Sequence, residues 1–197
     1  AVFMENNIRY MECCGAGARA GYYYTCVNSY LTKEELAYII NNSESQVLIT
    51  SQSRREVALA ALTDCPNVGL CIVVDGPGNG DDVVNLDEVA AVFPDTPIAD
   101  ECLGVAMLYS SGTTGQPKGI LSPLPENTPD NMFPVFQAVS KLWRHREGMI
   151  HLLPAPLYHS APHAALNFTT RVGGTTVIME SFDAELYLSS VEKYCVT

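Results

Sequence analysis

The residues with the clearest chemical potential lie together in one short stretch, residues 109–119. Its eleven positions include three glycines, one lysine and four serine or threonine hydroxyls. Glycines let the backbone approach a ligand closely, and successive N–H groups in such a turn form a concavity that suits anions. The hydroxyls add hydrogen-bond donors, and the lysine adds a full positive charge. We therefore predict that this stretch binds a polyphosphate. The predicted contacts come from Ser110, Ser111, Gly112, Thr113, Thr114, Gly115 and Lys118.

The spacing in this stretch differs from that of the P-loop of nucleoside triphosphatases, which reads G-x-x-x-x-G-K-[ST]. Here Gly112 and Gly115 are separated by two residues, and Lys118 lies between Pro117 and Gly119. The proline and the β-prone residues that follow indicate a loop between two strands rather than a loop that opens a helix. A solvated turn is the simpler alternative, but the preceding strand and the lone lysine in an acidic chain argue against it.

The elements that must position this loop alternate between short apolar strands and helical patterns. This alternation predicts an α/β fold in which mostly parallel strands are joined by crossover helices. The predicted strands are residues 47–50, 70–74, 105–109, 150–153 and 175–179.

Two of the predicted helices carry a start signal. Thr32 and Glu35 form a capping box for a helix over residues 32–41. Ser53 and Glu56 have the same spacing, so they predict a second capping box.

Later segments have weaker signals. Residues 132–143 place apolar side chains at helical spacing and are predicted to form a core-facing helix. A final helix is expected near residues 184–194. Residues 76–82 and 94–100 are turn-rich, so we expect the segment between them to be a surface excursion.

Composition excludes several classes of protein. Acidic side chains outnumber basic ones 22 to 11, and the net charge of −11 disfavours binding to nucleic acid. No apolar run approaches the roughly 20 residues that a transmembrane helix needs, and the start of the chain lacks a signal-peptide pattern. The seven cysteines form no C-x-x-C pair, which is typical of reduced thiols. We therefore expect a soluble, cytoplasmic protein with one core, or one core and a partial second.

Residues 109–119, Tyr-Ser-Ser-Gly-Thr-Thr-Gly-Gln-Pro-Lys-Gly, resemble the signature loop of the adenylate-forming superfamily, the AMP-binding enzymes that include acyl-CoA synthetases. Residues 5–10, 18–21 and 28–39 resemble the early part of the acyl-CoA synthetase N-terminal domain. Residues 154–162, Pro-Ala-Pro-Leu-Tyr-His-Ser-Ala-Pro, resemble the second core motif of the family. The resemblance implies that residues 1–197 are a fragment of the large N-terminal AMP-binding domain, with the C-terminal domain absent.

The resemblance also implies a reaction. A carboxylic acid, fatty or aryl, attacks the α-phosphate of ATP in the presence of Mg²⁺, and the acyl group then passes to the thiol of coenzyme A. Because both reacting groups are anionic, the protein must neutralise charge and position its substrates. By resemblance, Thr113 and Lys118 would act on the phosphates, and His159 would orient the acid or gate its entry. We assign no metal ligand in this chain.

His159 has two simpler interpretations. It is a loop histidine just before a helix start formed by Ser160 and Pro162. Alternatively, it pairs with His163 on a metal, which the intervening proline and the lack of a nearby third ligand disfavour.

Two other functions stay open. The first is a non-catalytic nucleotide-binding or interaction module that kept the loop. The second is another adenylate-forming activity, either amino-acid adenylation or a luciferase-like oxidation. The adenine, ribose and magnesium motifs of the family and its catalytic lysine are absent here, so we expect the chain alone to be inactive. The acid's chain length and the oligomeric state stay open, although exposed sheet edges would favour homo-oligomers.

Overall fold

The computed structural model describes residues 1–110, 115–131 and 134–197, and it divides the chain into two compact units. Unit 1 comprises residues 1–5 and 12–129, and unit 2 comprises residues 6–11 and 130–197. Both units combine parallel strands with helices, so the predicted α/β class is confirmed.

Unit 1 is built on a seven-stranded sheet in the order β5-β4-β3-β1-β2-β6-β7. Every neighbouring pair is parallel except β6 and β7, which are antiparallel. The strands are β1 (Val2–Phe3), β2 (Tyr23–Val27), β3 (Val47–Ser51), β4 (Leu70–Val74), β5 (Val83–Asn85), β6 (Val105–Ser110) and β7 (Lys118–Ile120). The helices are α1 (Tyr10–Arg19), α2 (Lys33–Asn42), α3 (Arg55–Leu62) and α4 (Leu86–Ala90). The three predicted strands in this unit are therefore confirmed.

Helix α2 begins as predicted. The Glu35 amide donates to the Thr32 hydroxyl, and the Glu35 carboxylate accepts from the Thr32 amide at 2.9 Å. This reciprocal pair satisfies two amides that the first helical turn leaves without partners. The buried face of α2, together with α3, forms the core of unit 1 over the central strands. This core contains Phe3, Val27, Leu36, Ala37, Ile39, Ile40, Leu48, Ala58, Ala61, Cys65 and Cys71.

The second capping box was wrong. Helix α3 begins at Arg55 after a short 3₁₀ turn, and its N-cap residue, Arg54, makes no side-chain cap. The Ser53 hydroxyl donates instead to the Glu5 carboxylate. Ser53 lies inside the 3₁₀ turn, Gln52–Arg54, so it precedes the N-cap position of α3 and is not the residue that could cap this helix.

The expected surface excursion between the two turn-rich segments was also wrong in part. Residues Val83–Asn85 form β5, which pairs in parallel with β4 at the edge of the sheet. Asn85 then caps α4 by accepting from the Glu88 amide at 3.0 Å. All three residues of β5 are only half-buried, because an edge strand has a single neighbour, and this weakens the apolar pattern.

Unit 2 contains the parallel pair β8 (Ile150–Leu153) and β9 (Thr175–Ile178) with helices α5 (Pro134–Leu142), α6 (Ser160–Arg171) and α7 (Ala184–Lys193). Both predicted strands and the final predicted helix are confirmed. Asp183 caps α7 by accepting from the Leu186 amide at 2.7 Å.

Helix α5 is not core-facing in its described residues. Phe136, Leu142 and Trp143 expose 43%, 77% and 48% of their surface. The two aromatic rings lie edge-on to Phe168 of α6, with centroids 5.8 and 6.2 Å away, so each buries one side only. Met132, where the predicted helix begins, lies outside the described residues.

All seven cysteines lie in the described ranges and are free thiols, five of them buried. Burial raises the pKa of Cys71 to about 11, so this thiol stays protonated at neutral pH. Among the described residues, no helix combines the length and apolarity needed to cross a membrane.

The capping box makes α2 a test of local stability. We expect Thr32→Ala to lower the free energy of unfolding by about 1 kcal/mol, because the Glu35 amide loses its acceptor. Thr32→Ser keeps the hydroxyl and should stay close to wild type. Urea denaturation of the three proteins checks this, and equal midpoints for Thr32→Ala and wild type would contradict it.

Gly104, just before β6, tests the packing of the sheet. Its amide donates to the Ala18 carbonyl at 2.7 Å, and a Cβ atom here would overlap the carbonyl oxygens of Gly17 and Tyr22. Backbone atoms cannot yield as a side chain can, so we expect Gly104→Ala to cost about 1–3 kcal/mol of unfolding free energy. Gly69→Ala is the matched control, since nothing lies within 4 Å of a Cβ there. Equal losses for both variants would refute the steric argument.

His151 makes the stability of unit 2 depend on pH. Its Nδ1 lies 3.0 Å from the Thr169 hydroxyl, whose own proton goes to the Ala165 carbonyl, so the neutral imidazole is the donor. Burial, and then the nearby His145, lower the pKa of His151 below its ordinary 6.5. Above pH 6.5 both the folded and unfolded forms are neutral, and the full stability is present. As the pH falls below 6.5, the unfolded chain binds the proton first, so the unfolding free energy must decrease.

Urea denaturation at pH 7.5 and 5.5, followed by the fluorescence of Trp143, measures this effect. Trp143 is the only tryptophan of the chain and lies in unit 2. We expect a lower midpoint at pH 5.5 in wild type and a smaller difference in His151→Gln. The same pH difference in both proteins would assign the effect to other groups.

Candidate functional site

The predicted phosphate loop joins β6 to β7. The two strands form an antiparallel pair in which Tyr109 lies opposite Gly119 and Ser110 lies opposite Lys118. The expected loop between two strands is therefore confirmed, and no helix begins behind it at Lys118. Ser110, Gly115 and Lys118 lie in the described residues. The other four predicted contact residues, Ser111, Gly112, Thr113 and Thr114, lie outside them.

The described end of the loop carries the ammonium group of Lys118. The Lys118 side chain is exposed, and no carboxylate in the described part of the chain forms an ion pair with it. The Ser110 hydroxyl donates to the Lys118 carbonyl at 3.4 Å. These two residues place a positive charge and a hydroxyl next to the loop of one hairpin, and both groups can bind an anionic ligand.

Gly119 lets the hairpin close tightly. A Cβ atom at this position would overlap the Met107 side chain and lie 3.0 Å from the ring of Tyr109. The Tyr109 ring therefore packs directly over the backbone of the residue that follows Lys118. Burial, followed by the neighbouring Tyr38, raises the pKa of Tyr109, so its phenol is a proton donor at neutral pH.

Both ends of the hairpin are bonded to helix α2. The Tyr109 hydroxyl donates to Asn42 Oδ1 at 2.7 Å, and the Tyr38 hydroxyl donates to the Pro117 carbonyl at 3.1 Å. A third bond comes from the sheet, where the Tyr23 hydroxyl donates to the Ser122 carbonyl at 2.9 Å. Sequence reasoning missed these anchors because the partners are 67 to 99 residues apart in the chain.

A polar cluster that the sequence did not predict lies where β1 and β3 end. The Glu5 carboxylate accepts from the hydroxyls of Ser51 and Ser53, and it lies 3.8 Å from Arg54 Nε. The Arg54 guanidinium lies over the Tyr30 ring, 5.3 Å from its centroid. Because β1, β3, β2 and β6 are parallel, this cluster and the start of the phosphate loop lie at the same edge of the sheet. The carboxyl edge of a parallel sheet is where α/β proteins bind their ligands.

In unit 2, the predicted second core motif at residues 154–162 forms a turn held by one side chain. The Asn6 amide donates to the carbonyls of Ala155 and Met179 at 2.9 and 2.8 Å, and its oxygen accepts from the Leu157 amide at 2.8 Å. Leu157 is fully buried. Asn6 thus ties the motif to the end of β9. Its partners lie 149 to 173 residues away, so no local signal indicates this role.

His159 lies at the N-cap position of α6, with an exposed side chain that makes no cap. The expected helix start at Ser160 is confirmed. The His159 ring lies 4.4 Å from the Tyr158 ring, centroid to centroid. An exposed imidazole with no part in the cap can contact a ligand.

His163, four residues later, is buried, and its Nε2 lies 3.1 Å from the Asn167 amide nitrogen. The amide nitrogen of Asn167 can only donate, so Nε2 of His163 accepts in this contact.

Comparisons with known proteins agree on the family. A family model described as AMP-binding enzyme matches residues 1–197. The chain is 28% identical over 209 residues to the long-chain-fatty-acid–CoA ligase FadD13 of Mycobacterium tuberculosis, covering 100% of this chain and 38% of that protein. The chain therefore spans well under half the length of this relative.

Solved structures share the fold. The inhibitor-bound N-terminal domain of FACL13 from Mycobacterium tuberculosis superposes with a TM-score of 0.78 at 24% identity, over 99% of this chain and 47% of that one. A red-emitting luciferase from Phrixothrix hirtus gives a TM-score of 0.81 at 19% identity, over 99% of this chain and 38% of that one. These similarities confirm the prediction of a partial N-terminal domain fold. Because the family model matches residues 1–197, the chain belongs to the AMP-binding enzyme family.

Proposed function

We propose that this chain is part of the N-terminal, AMP-binding domain of an ATP-dependent acyl-CoA ligase. Such an enzyme joins a carboxylic acid, fatty or aryl, to ATP as an acyl-adenylate with release of pyrophosphate, and then transfers the acyl group to the thiol of coenzyme A. The observation that carries this proposal is the exposed Lys118 side chain at the β6–β7 hairpin, with which no carboxylate of the described residues forms an ion pair, so its charge can face an anionic substrate. The family match over the whole chain supports the assignment.

The first step brings together two anions, so its barrier is largely electrostatic. In our proposal Lys118 and the hydroxyl of Ser110, with Ser111, Thr113, Thr114 and the amides of Gly112 and Gly115, hold the β- and γ-phosphates of ATP. Fixed donors aimed at the leaving pyrophosphate stabilise the charge that develops on it. The lysine is carried on a paired strand, so little reorganisation is needed when the charge moves.

Mg²⁺ would screen the charge of the phosphates, but the loop supplies only some of the ligands that this ion prefers. The stretch of residues 109–119 contains no carboxylate, so it would offer the ion only neutral oxygens, from its hydroxyls, the Gln116 amide and backbone carbonyls. We therefore assign no protein ligand for Mg²⁺ in this chain, and no residue to coenzyme A.

His159 is proposed to orient the acid or to gate its entry. Its exposed imidazole is carried on the turn that Asn6 holds in unit 2, and its side chain is not used to cap α6. A neutral imidazole donates one hydrogen bond and a protonated one adds charge, so either form can contact a carboxylate.

We propose that the chain alone is inactive. It matches only 38% of the length of the FadD13 ligase, so most of a complete ligase has no counterpart in these residues. The seven free cysteines support a reducing, cytoplasmic location. A luciferase-like oxidation is the second candidate, because the TM-score of the luciferase, 0.81, is similar to that of the FACL13 domain, 0.78. Acid-dependent formation of an acyl-CoA thioester, without light emission, would separate the two.

The proposal is tested in the full-length protein that contains this chain. We expect Lys118→Ala and Thr113→Ala each to lower kcat for acid-dependent pyrophosphate release by about 100-fold, because each removes a donor to the phosphates. Lys141→Ala removes an exposed lysine of α5 and is the matched control, which should retain wild-type rates.

Titration with MgATP provides a second measurement. Binding by wild type that is weakened in Lys118→Ala would support the loop as the phosphate site. Unchanged turnover in both loop variants, or no affinity of the wild-type protein for MgATP, would remove the assignment.

A further inference from the structure

We propose that Tyr38 and Asn42 of helix α2 are positioning residues for the phosphate loop, which set the place of Lys118 through hydrogen bonds to the two ends of the hairpin. This inference rests on the proposed function, because it concerns the lysine that would hold the phosphates. Neither residue belongs to the loop or touches the substrate in this proposal.

The two residues are placed to act together. They are four residues apart in α2 and therefore share one helix face. Asn42 accepts from Tyr109, the residue just before the loop's first serine, and Tyr38 donates to the carbonyl of Pro117, the residue just before Lys118. One helix face thus holds both the entry and the exit of the loop.

Helix α2 is a rigid support for these bonds. Four other residues of the helix, Leu36, Ala37, Ile39 and Ile40, are buried in the core, and its first turn is closed by the capping box. The Tyr38 ring packs against this core, so its hydroxyl is held in place by the packing of the ring. Fixing a side chain through its neighbours is how proteins preorganise a site.

The bond from Tyr38 acts on the peptide that leads into the lysine. The carbonyl of Pro117 and the amide of Lys118 belong to one planar unit, and the proline ring already fixes φ on the other side. Holding that carbonyl at 3.1 Å therefore orients the backbone from which the Lys118 side chain leaves. On the other strand, the Tyr109 ring lies over Gly119, and its bond to Asn42 keeps the ring there.

A purely structural role would not need the Tyr38 hydroxyl. The ring fills its place against the core, as a phenylalanine would, and the hydroxyl makes the hydrogen bond to the hairpin. Tyr38→Phe therefore removes the contact with the hairpin and leaves the packing in place. Asn42→Ala removes the other contact from an exposed side chain at the end of the helix.

Two matched controls isolate the hairpin. Tyr22→Phe makes the same chemical change at an exposed tyrosine. Asn41→Ala removes a side-chain hydrogen bond from the same helix, in this case to the Asp64 carbonyl at 2.8 Å, away from the loop.

The first measurement is hydrogen–deuterium exchange of the β7 amides, Lys118–Ile120, in the 197-residue chain. We expect exchange to become about tenfold faster in Tyr38→Phe and in Asn42→Ala, with unchanged urea midpoints, and to stay at the wild-type rate in both controls. Unchanged β7 exchange in Tyr38→Phe and Asn42→Ala would overturn the proposal. This measurement needs no ATP, so it decides the anchoring independently of the proposed function.

The second measurement is acid-dependent ATP–pyrophosphate exchange by the full-length protein. A positioning role predicts that Tyr38→Phe lowers kcat by about tenfold and leaves KM for the acid unchanged, because the acid does not contact the hairpin. Faster β7 exchange with an unchanged kcat would show that the bonds stabilise the hairpin without serving the reaction, and would overturn the role. A wild-type protein without ATP–pyrophosphate exchange would overturn the proposed function and the catalytic part of this inference, while the deuterium result would still decide whether α2 anchors Lys118.

Discussion

The close approach of backbones at Gly104 is the constraint on which the rest of unit 1 depends. The residue lies against the carbonyls of Gly17 and Tyr22, and its amide donates to Ala18, so the chain enters β6 in register with β2. That register carries Ser110 to the same edge of the sheet as the Glu5 cluster. A side chain larger than hydrogen at this one position would push the strand, and the loop that follows it, out of line.

In the proposed function, the hairpin holds an anion in a different way from a helix N-terminus. A helix supplies a fixed partial charge and several converging amides, and its direction is set by the whole element. An antiparallel hairpin has no comparable dipole, so its charge must come from a side chain, here Lys118. The orientation of that side chain then depends on what holds the strand, which in this chain is helix α2.

The sequence predicted those features of the fold that depend on residues close together in the chain. Thr32 and Glu35 are three residues apart, so their capping box could be predicted from spacing alone, and the strand Leu70–Val74 was predicted to the residue. Ser53 has the same spacing to Glu56, but α3 begins only at Arg55, and the Ser53 hydroxyl donates to Glu5, 48 residues away. Phe136 and Trp143 had the right spacing for a core helix, yet spacing does not reveal that both rings pack edge-on against Phe168 and stay largely exposed. In the candidate site, the motif predicted the loop, whereas its anchors Tyr38, Asn42 and Asn6 depend on the tertiary fold.

The Asn6 side chain has a chemical consequence of its own. Its amide group uses both hydrogens and its oxygen, each on a different backbone group: the carbonyls of Ala155 and Met179 and the amide of Leu157. Deamidation, the slow hydrolysis that ages asparagine side chains, would replace the NH₂ group by a carboxylate oxygen and set a negative charge against two carbonyl oxygens. Conversion of this one amide to an acid would therefore loosen the turn that carries His159.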